Sequence, residues 1–309
     1  MRKLICFALV LVCAASAGAS PKPVAKLQVP CKSEYQVLSP EGTQLAWRCT
    51  DRTLRVVSLP DGKELHAISP SAGVNSLVYS PDGQWLATGF YDGTIEVVPS
   101  KGSAAPIRWQ ASPRRIDALY LFPGAKTLVV GPADDNGQVW ELAETPKLRA
   151  TLSFDFGGIS ACALSPDGKL LVVASDDTML HWYDTNSWQK IQDNRDFLLE
   201  TFALAFTPDG RQVLVGGADS RITVLDATTG KAVRQLPAES GSYIVALQIL
   251  GDKQRAATGY LDDAGGKPPH GRLWDLATEK SVGFASDLSP AAPVSWQASF
   301  GSAARKATH

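Results

Sequence analysis

Runs of five or six residues in which apolar side chains alternate with small or polar ones recur throughout this chain. Each run is closed by a turn rich in Gly, Pro, Asp and Ser. Residues 159–164 form one such run, 169–174 a second and 179–183 a third, separated by Ser165-Pro166-Asp167-Gly168 and by Asp176-Asp177. The set recurs at 202–206, 212–216 and 221–225, with turns at Thr207-Pro208-Asp209-Gly210 and Asp219-Ser220. Alternation with a period of two between turn signals predicts strands. Proline presets the first corner of each turn, and glycine accepts a positive φ at the far side. Apart from an apolar stretch at the N-terminus, no segment sustains a helical period, so an all-β fold is expected.

The turns are themselves periodic. Pro40, Pro81, Pro123, Pro166 and Pro208 stand about 42 residues apart. Four of them lie in Ser/Thr-Pro-Asp/Glu-Gly, Pro123-Gly124 keeps the place in a degenerate copy, and Gly251-Asp252 marks a sixth turn. A period of about 40 to 45 residues with four short strands per unit predicts a β-propeller. Each unit buries its faces only by stacking on neighbours, so the chain is read as one domain. Six units are visible, which favours six blades. The leader, with a candidate strand at 26–29, and the tail, with one at 293–300, are expected to close the ring and cover its open edges. Seven blades is the alternative count.

Across roughly residues 33–285 these units resemble the WD40 repeat family. Trp274-Asp275 keeps the dipeptide that ends the family's third strand, and Trp140-Glu141, Tyr183-Asp184 and Leu225-Asp226 stand in the same place. Asp92-Gly93-Thr94-Ile95 matches its tight second-to-third-strand hairpin, with counterparts at Asp51, Asp134, Asp177 and Asp219. The resemblance implies a propeller whose tight turns and inter-blade loops share one face. It also implies a Gly-His pair leading into each blade, and the four histidines here, His66, His181, His270 and His309, do not occupy that place. The buried His–Asp network of the family is therefore expected to be absent, a departure that fits a divergent bacterial secreted branch.

Residues 1–19 read as a secretory signal peptide: Arg2 and Lys3, an apolar run at 4–12, then Ala17-Gly18-Ala19. The run is shorter than the roughly 20 apolar residues that span a bilayer. Val12 precedes Cys13 where a lipobox needs a small residue, so no lipidation is expected. Residues 20–32 form the leader, 33–288 the propeller and 289–309 the tail. A periplasmic or secreted location follows. There Cys31 and Cys49, almost symmetric about the turn at Pro40, are expected to form a disulfide. Cys162 reads as a buried strand residue.

With 30 basic and 31 acidic residues and no long run of either sign, the chain is not expected to bind nucleic acid, which needs a concentrated basic surface. No Gly-x-Ser-x-Gly elbow, His-Glu-x-x-His, Cys-x-x-Cys or phosphate-binding glycine loop occurs, so no catalysis, cofactor or metal is expected. His181, between Leu180 and Trp182, reads as a strand-face residue. Asp51, Asp92, Asp134, Asp177 and Asp219 read as structural turn residues that bond their own backbone, although a carboxylate ring could in principle take Ca²⁺.

Function is expected where the repeat departs from itself. Residues 260–269 replace a tight turn with a longer loop, and loops on a rigid scaffold concentrate binding residues. The candidate partner-binding residues are Arg115, Phe156, Phe197, Tyr243, Tyr260, Asp262, Asp263 and Lys267. Aromatic and arginine side chains suit a protein interface. The expected role is a non-catalytic extracytoplasmic scaffold for a protein or peptide partner. An extracytoplasmic enzyme or ligand binder using the central channel is the alternative.

Overall fold

A computed structural model describes residues 6–10, 25–29, 33–49, 51, 53–59, 61–68, 72–101, 105–196, 200–236, 242–249, 255–262 and 270–285. Cys6–Val10 (β1) and Ala25–Val29 (β2) pair with each other as an antiparallel two-stranded sheet. The remaining strands form six four-stranded antiparallel meanders, the arrangement of a six-bladed propeller. Blade 1 holds Ser33–Leu38 (β3), Gln44–Cys49 (β4), Leu54–Ser58 (β5) and Glu64–Ile68 (β6). Blade 2 holds Val74–Tyr79 (β7), Trp85–Phe90 (β8), Thr94–Pro99 (β9) and Ile107–Gln110 (β10). Blade 3 holds Ile116–Leu121 (β11), Thr127–Pro132 (β12), Gly137–Glu141 (β13) and Lys147–Leu152 (β14). Blade 4 holds Ile159–Leu164 (β15), Leu170–Ser175 (β16), Leu180–Asp184 (β17) and Lys190–Asn194 (β18). Blade 5 holds Thr201–Phe206 (β19), Gln212–Gly217 (β20), Ile222–Asp226 (β21) and Ala232–Leu236 (β22). Blade 6 holds Ser242–Ile249 (β23), Arg255–Asp262 (β24), His270–Asp275 (β25) and Ser281–Ala285 (β26).

Each blade is four consecutive strands, and β2 joins none of the six sheets. Among the described residues of the leader, expected to help close the ring, 25–29 pair with β1. The tail expected to supply a closing strand lies outside the described residues. Burial follows position within the blade. The first strands are covered on both faces, as in β7 and β19, which are buried throughout. The outermost strands alternate or are exposed, as in β14 and β18. One apolar cluster joins blades 4 and 5 through Trp182, Leu204, Val213 and Leu225, and the Trp182 indole N–H donates to Ala227 O across that seam at 3.0 Å. Burying each large apolar side chain contributes about 1.5–3 kcal/mol.

The proline turns hold the fold in two directions. Within a turn, the Ser165 hydroxyl donates to Asp167 at 2.6 Å while the Lys169 N–H reaches the same carboxylate oxygen. Between blades, the Gly124 N–H donates to Asp82 Oδ2 at 2.7 Å, so the degenerate copy at Pro123, here a single 3-10 turn, is tied to its neighbour.

One irregularity recurs in all six blades. The pairing of each first strand with its second slips by one residue near its start, leaving Glu34, Asn75, Asp117, Ser160, Phe202 and Val245 outside the ladder. Such a bulge bends the strand and re-aims one side chain.

Candidate functional site

The antiparallel meander brings the start of each first strand, the second-to-third-strand turn and the inter-blade loop to one face. Four of the five turn aspartates bond their own backbone there. Asp51, Asp92, Asp177 and Asp219 each accept the N–H two residues on, at 2.9 to 3.1 Å. Asp51 also accepts the Thr53 hydroxyl at 2.7 Å, and this bond, with the Thr53 N–H, holds its carboxyl below the ordinary aspartate range. Asp134 differs: it takes a left-handed φ of 51°, and its neighbour Asp135 accepts the Asn136 N–H instead. Among the described residues no three His, Cys, Asp or Glu side chains converge as metal ligands.

Asp177 does more than close its turn. His181, fully buried, lies with Nε2 at 2.8 Å from Ser175 Oγ and 3.3 Å from Asp177 Oδ2. Its Nδ1 lies 2.6 Å from Asp193 Oδ1, which Lys190 also approaches at 3.2 Å. The Ser175 hydroxyl also donates to Asp177, so the ring is held between the Ser175–Asp177 pair at one nitrogen and Asp193 at the other. Burial works against the charge on Asp193, but the bonds to His181 and Lys190 outweigh it and hold its carboxyl below the ordinary range. This corrects the sequence expectation: a buried His–Asp network is present. Its histidine comes from the third strand of the same blade rather than from the loop leading into it.

The network reaches the surface through the loop between blades 3 and 4. Asp177 Oδ2 accepts the Asp155 N–H at 3.1 Å, and Asp176 Oδ2 accepts the Gly158 N–H at 3.0 Å. Asp176 N–H in turn donates to Gly158 O at 3.0 Å. Gly157 between them has φ +73°, and a Cβ there would collide with Asp176. Phe156, at the tip of this pinned segment, is 64% exposed. Asp155 beside it pairs with Arg195 at 3.6 Å.

The other expected partner-binding residues fall in different settings. Arg115 is exposed but engaged, forking Asp117 through Nε at 2.8 Å and Nη2 at 3.1 Å. Asp117 also accepts from Asn75 Nδ2 at 2.8 Å, which joins blades 2 and 3. Tyr243 is half-buried, with its ring centroid 6.1 Å from that of Phe202. Tyr260 corrects the sequence expectation of an exposed loop residue. Strand β24 runs on through Asp262, so Tyr260 is 1% exposed in a cluster with Ile244 and Trp274. Asp262 ends that strand, and its side chain, with Phe197, Asp263 and Lys267, lies outside the described residues. Cys49 is buried at the end of β4 opposite Ser33, while Cys31 lies outside the described residues. Cys162 is a buried free thiol, pushed up in pKa by desolvation. Ser175 and Asp193 were not singled out by sequence reasoning. The Ser-x-Asp-x-x-x-His spacing at 175–181 was the available signal.

These features define a six-bladed propeller with one face of pinned loops. Residues 62–97 and 146–184 match the family described as WD domain, G-beta repeat, and residues 186–250 match the anaphase-promoting complex subunit 4 WD40 domain. These matched stretches are similar to WD40 repeats and together cover less than half of the chain. Similar curated proteins include Protein groucho of Drosophila melanogaster, 26% identical over 39% of this chain and 17% of that protein. The U3 small nucleolar RNA-associated protein 15 homolog of Xenopus tropicalis is 25% identical over 54% of this chain and 32% of its own length. Transducin-like enhancer protein 2 of Mus musculus is 24% identical over 56% of this chain and 23% of its own length. The matches therefore span less than a third of each of these relatives.

Proposed function

We propose that this chain is a non-catalytic, extracytoplasmic interaction scaffold that presents the face bearing Phe156 to a protein or peptide partner. The observation that carries this reading is Phe156 itself. A large apolar ring is displayed to solvent on a loop whose backbone is tied down on both sides of it. Such a side chain loses little freedom on binding, so its burial converts efficiently into affinity. The WD40 repeats and the similarity to Protein groucho and to Transducin-like enhancer protein 2 support a scaffold role. The charged N-region, apolar run and small-residue site of residues 1–19 support a periplasmic or secreted setting. Among the described residues no helix is long and apolar enough to cross a membrane.

The test is a photocrosslinking amino acid placed at position 156 and, as a control, at Ile191 on the outer strand β18, followed by cell fractionation. A discrete adduct in the extracytoplasmic fraction from position 156 but not from 191 is expected. Equal labelling from both positions, or adducts only in the cytoplasmic fraction, overturns the reading.

A further inference from the structure

The loop that displays Phe156 meets the interior of blade 4 at His181, and it does so twice. Asp177 Oδ2, which accepts the Asp155 N–H at 3.1 Å, lies 3.3 Å from His181 Nε2. The Phe154 ring touches the imidazole directly, with centroids 5.2 Å apart. On the far side of the ring, Nδ1 is 2.6 Å from Asp193 Oδ1. Lys190 Nζ stands 3.2 Å from the same oxygen and 3.4 Å from Nδ1.

Protons are scarce around this ring. The Ser175 hydroxyl has a single proton and two acceptors within reach, the Asp177 carboxylate and Nε2. A neutral imidazole has one N–H and an imidazolium two, so a neutral ring leaves one of its flanks a donor short. The shorter contact is the one to Asp193, which assigns the single N–H to Nδ1. Nε2 then competes with Asp177 for the Ser175 proton. The Asp177 side chain is 1% exposed, so water does not replace a donor lost there. Asp193 is 29% exposed and keeps Lys190 beside it. The remaining ionisable groups around the ring are spoken for. Tyr183, its ring centroid 6.5 Å away, donates to Ser153 O, and burial pushes both its hydroxyl and the Cys162 thiol up. Asp176 accepts the Gly158 N–H, and Asp155 pairs with Arg195 on the outer side of the loop.

We propose that His181 is a proton-operated latch for the Phe156 loop. With the ring charged, Nδ1–H serves Asp193, Nε2–H serves the Ser175 oxygen, and the Ser175 proton stays on Asp177, which holds Asp155. Loss of the ring proton draws the Ser175 hydroxyl toward Nε2, leaves Asp177 a donor short and loosens the loop. A partner that uses Phe156 therefore meets a firmer loop as the pH falls through the titration of the ring. That consequence rests on the scaffold reading, whereas the latch is a property of the free chain.

The test is an NMR titration of the full chain from about pH 4 to about pH 9, a span that brackets the ordinary histidine range. The ring resonances of His181 and the amide of Asp155 are expected to follow one curve with one midpoint, and the neutral ring to carry its proton on Nδ1. Hydrogen exchange at the Asp155 amide, corrected for its intrinsic dependence on pH, should be about tenfold slower on the acid side, the order expected of a hydrogen bond to a charged group. His181→Gln should abolish the Asp155 inflection; if that variant does not fold, the wild-type curves decide alone. A ring that keeps one protonation state throughout overturns the latch. So does a neutral ring protonated at Nε2, an Asp155 amide indifferent to the ring's midpoint, or an Asp155 inflection that persists in His181→Gln. Shared curves with no crosslink at position 156 leave the latch standing while the scaffold reading fails; a crosslink with unshared curves does the reverse.

Discussion

Asp177 joins two parts of the molecule: its Oδ1 closes the turn at Met179, and its Oδ2 accepts the N–H of Asp155 in the preceding inter-blade loop at 3.1 Å. Because His181 stands behind the same carboxylate, the loop that displays Phe156 is anchored in the centre of blade 4. Display and core are mechanically one unit.

Removing the anchor tests this unit. Replacing His181 with Leu removes the hydrogen-bond partner shared by Ser175 and Asp193, and each buried polar group left unpaired costs about 1–3 kcal/mol. The variant is expected to lose about 3 kcal/mol in urea denaturation, and the amide shifts of residues 154–158 should move. A variant with wild-type stability and an unmoved loop contradicts the coupling.

Acid should act through Asp193. Its folded-state pKa is depressed, so its contribution is fully present above the ordinary aspartate value of about 3.8 and is lost as the pH falls through the lower folded value. Asp193→Asn should be less stable than wild type at neutral pH, and the gap should narrow as pH drops below about 4. Urea midpoints from pH 7 to pH 2 measure this. A gap that stays constant to the lowest pH refutes the assignment.

Two glycines with nearly the same φ separate backbone strain from collision. Gly168, φ +74°, has nothing within 4 Å of an added Cβ, whereas at Gly157, φ +73°, that atom would strike Asp176. Gly168→Ala is expected to cost about 1–2 kcal/mol, the left-handed penalty alone. Gly157→Ala should cost more and weaken partner capture as well. Equal losses measured by thermal melting would show that the Asp176 contact gives way freely.

The reading of Cys31 and Cys49 as a bridge predicts that reductant lowers the melting temperature. Replacing both cysteines with Ser should cost about 2–4 kcal/mol, as for a disulfide closing a short loop. Thiol titration of the unfolded chain without residues 1–19 should find Cys162 and no other reactive cysteine. Three titratable thiols exclude the bridge.

What the sequence revealed depended on the range of the interactions. The turns at Ser165 and Thr207 were legible because their hydrogen bonds close within five residues, and the strands between them followed. The His181 network was not legible, since Asp193 reaches His181 only through the pairing register of β17 and β18. Tyr260 was misplaced because its run of apolar neighbours ends in Asp and Gly, while pairing with β23 carries the strand two residues further.

The bulge shared by the first strands has a consequence for variation. A residue outside the ladder is released from the in-out alternation that otherwise fixes polarity, which is why Glu, Asn, Asp, Ser, Phe and Val can occupy equivalent places in six blades. The propeller thus carries a dial of six settings, one per blade, of which the two at Asn75 and Asp117 are bonded to each other and turn together.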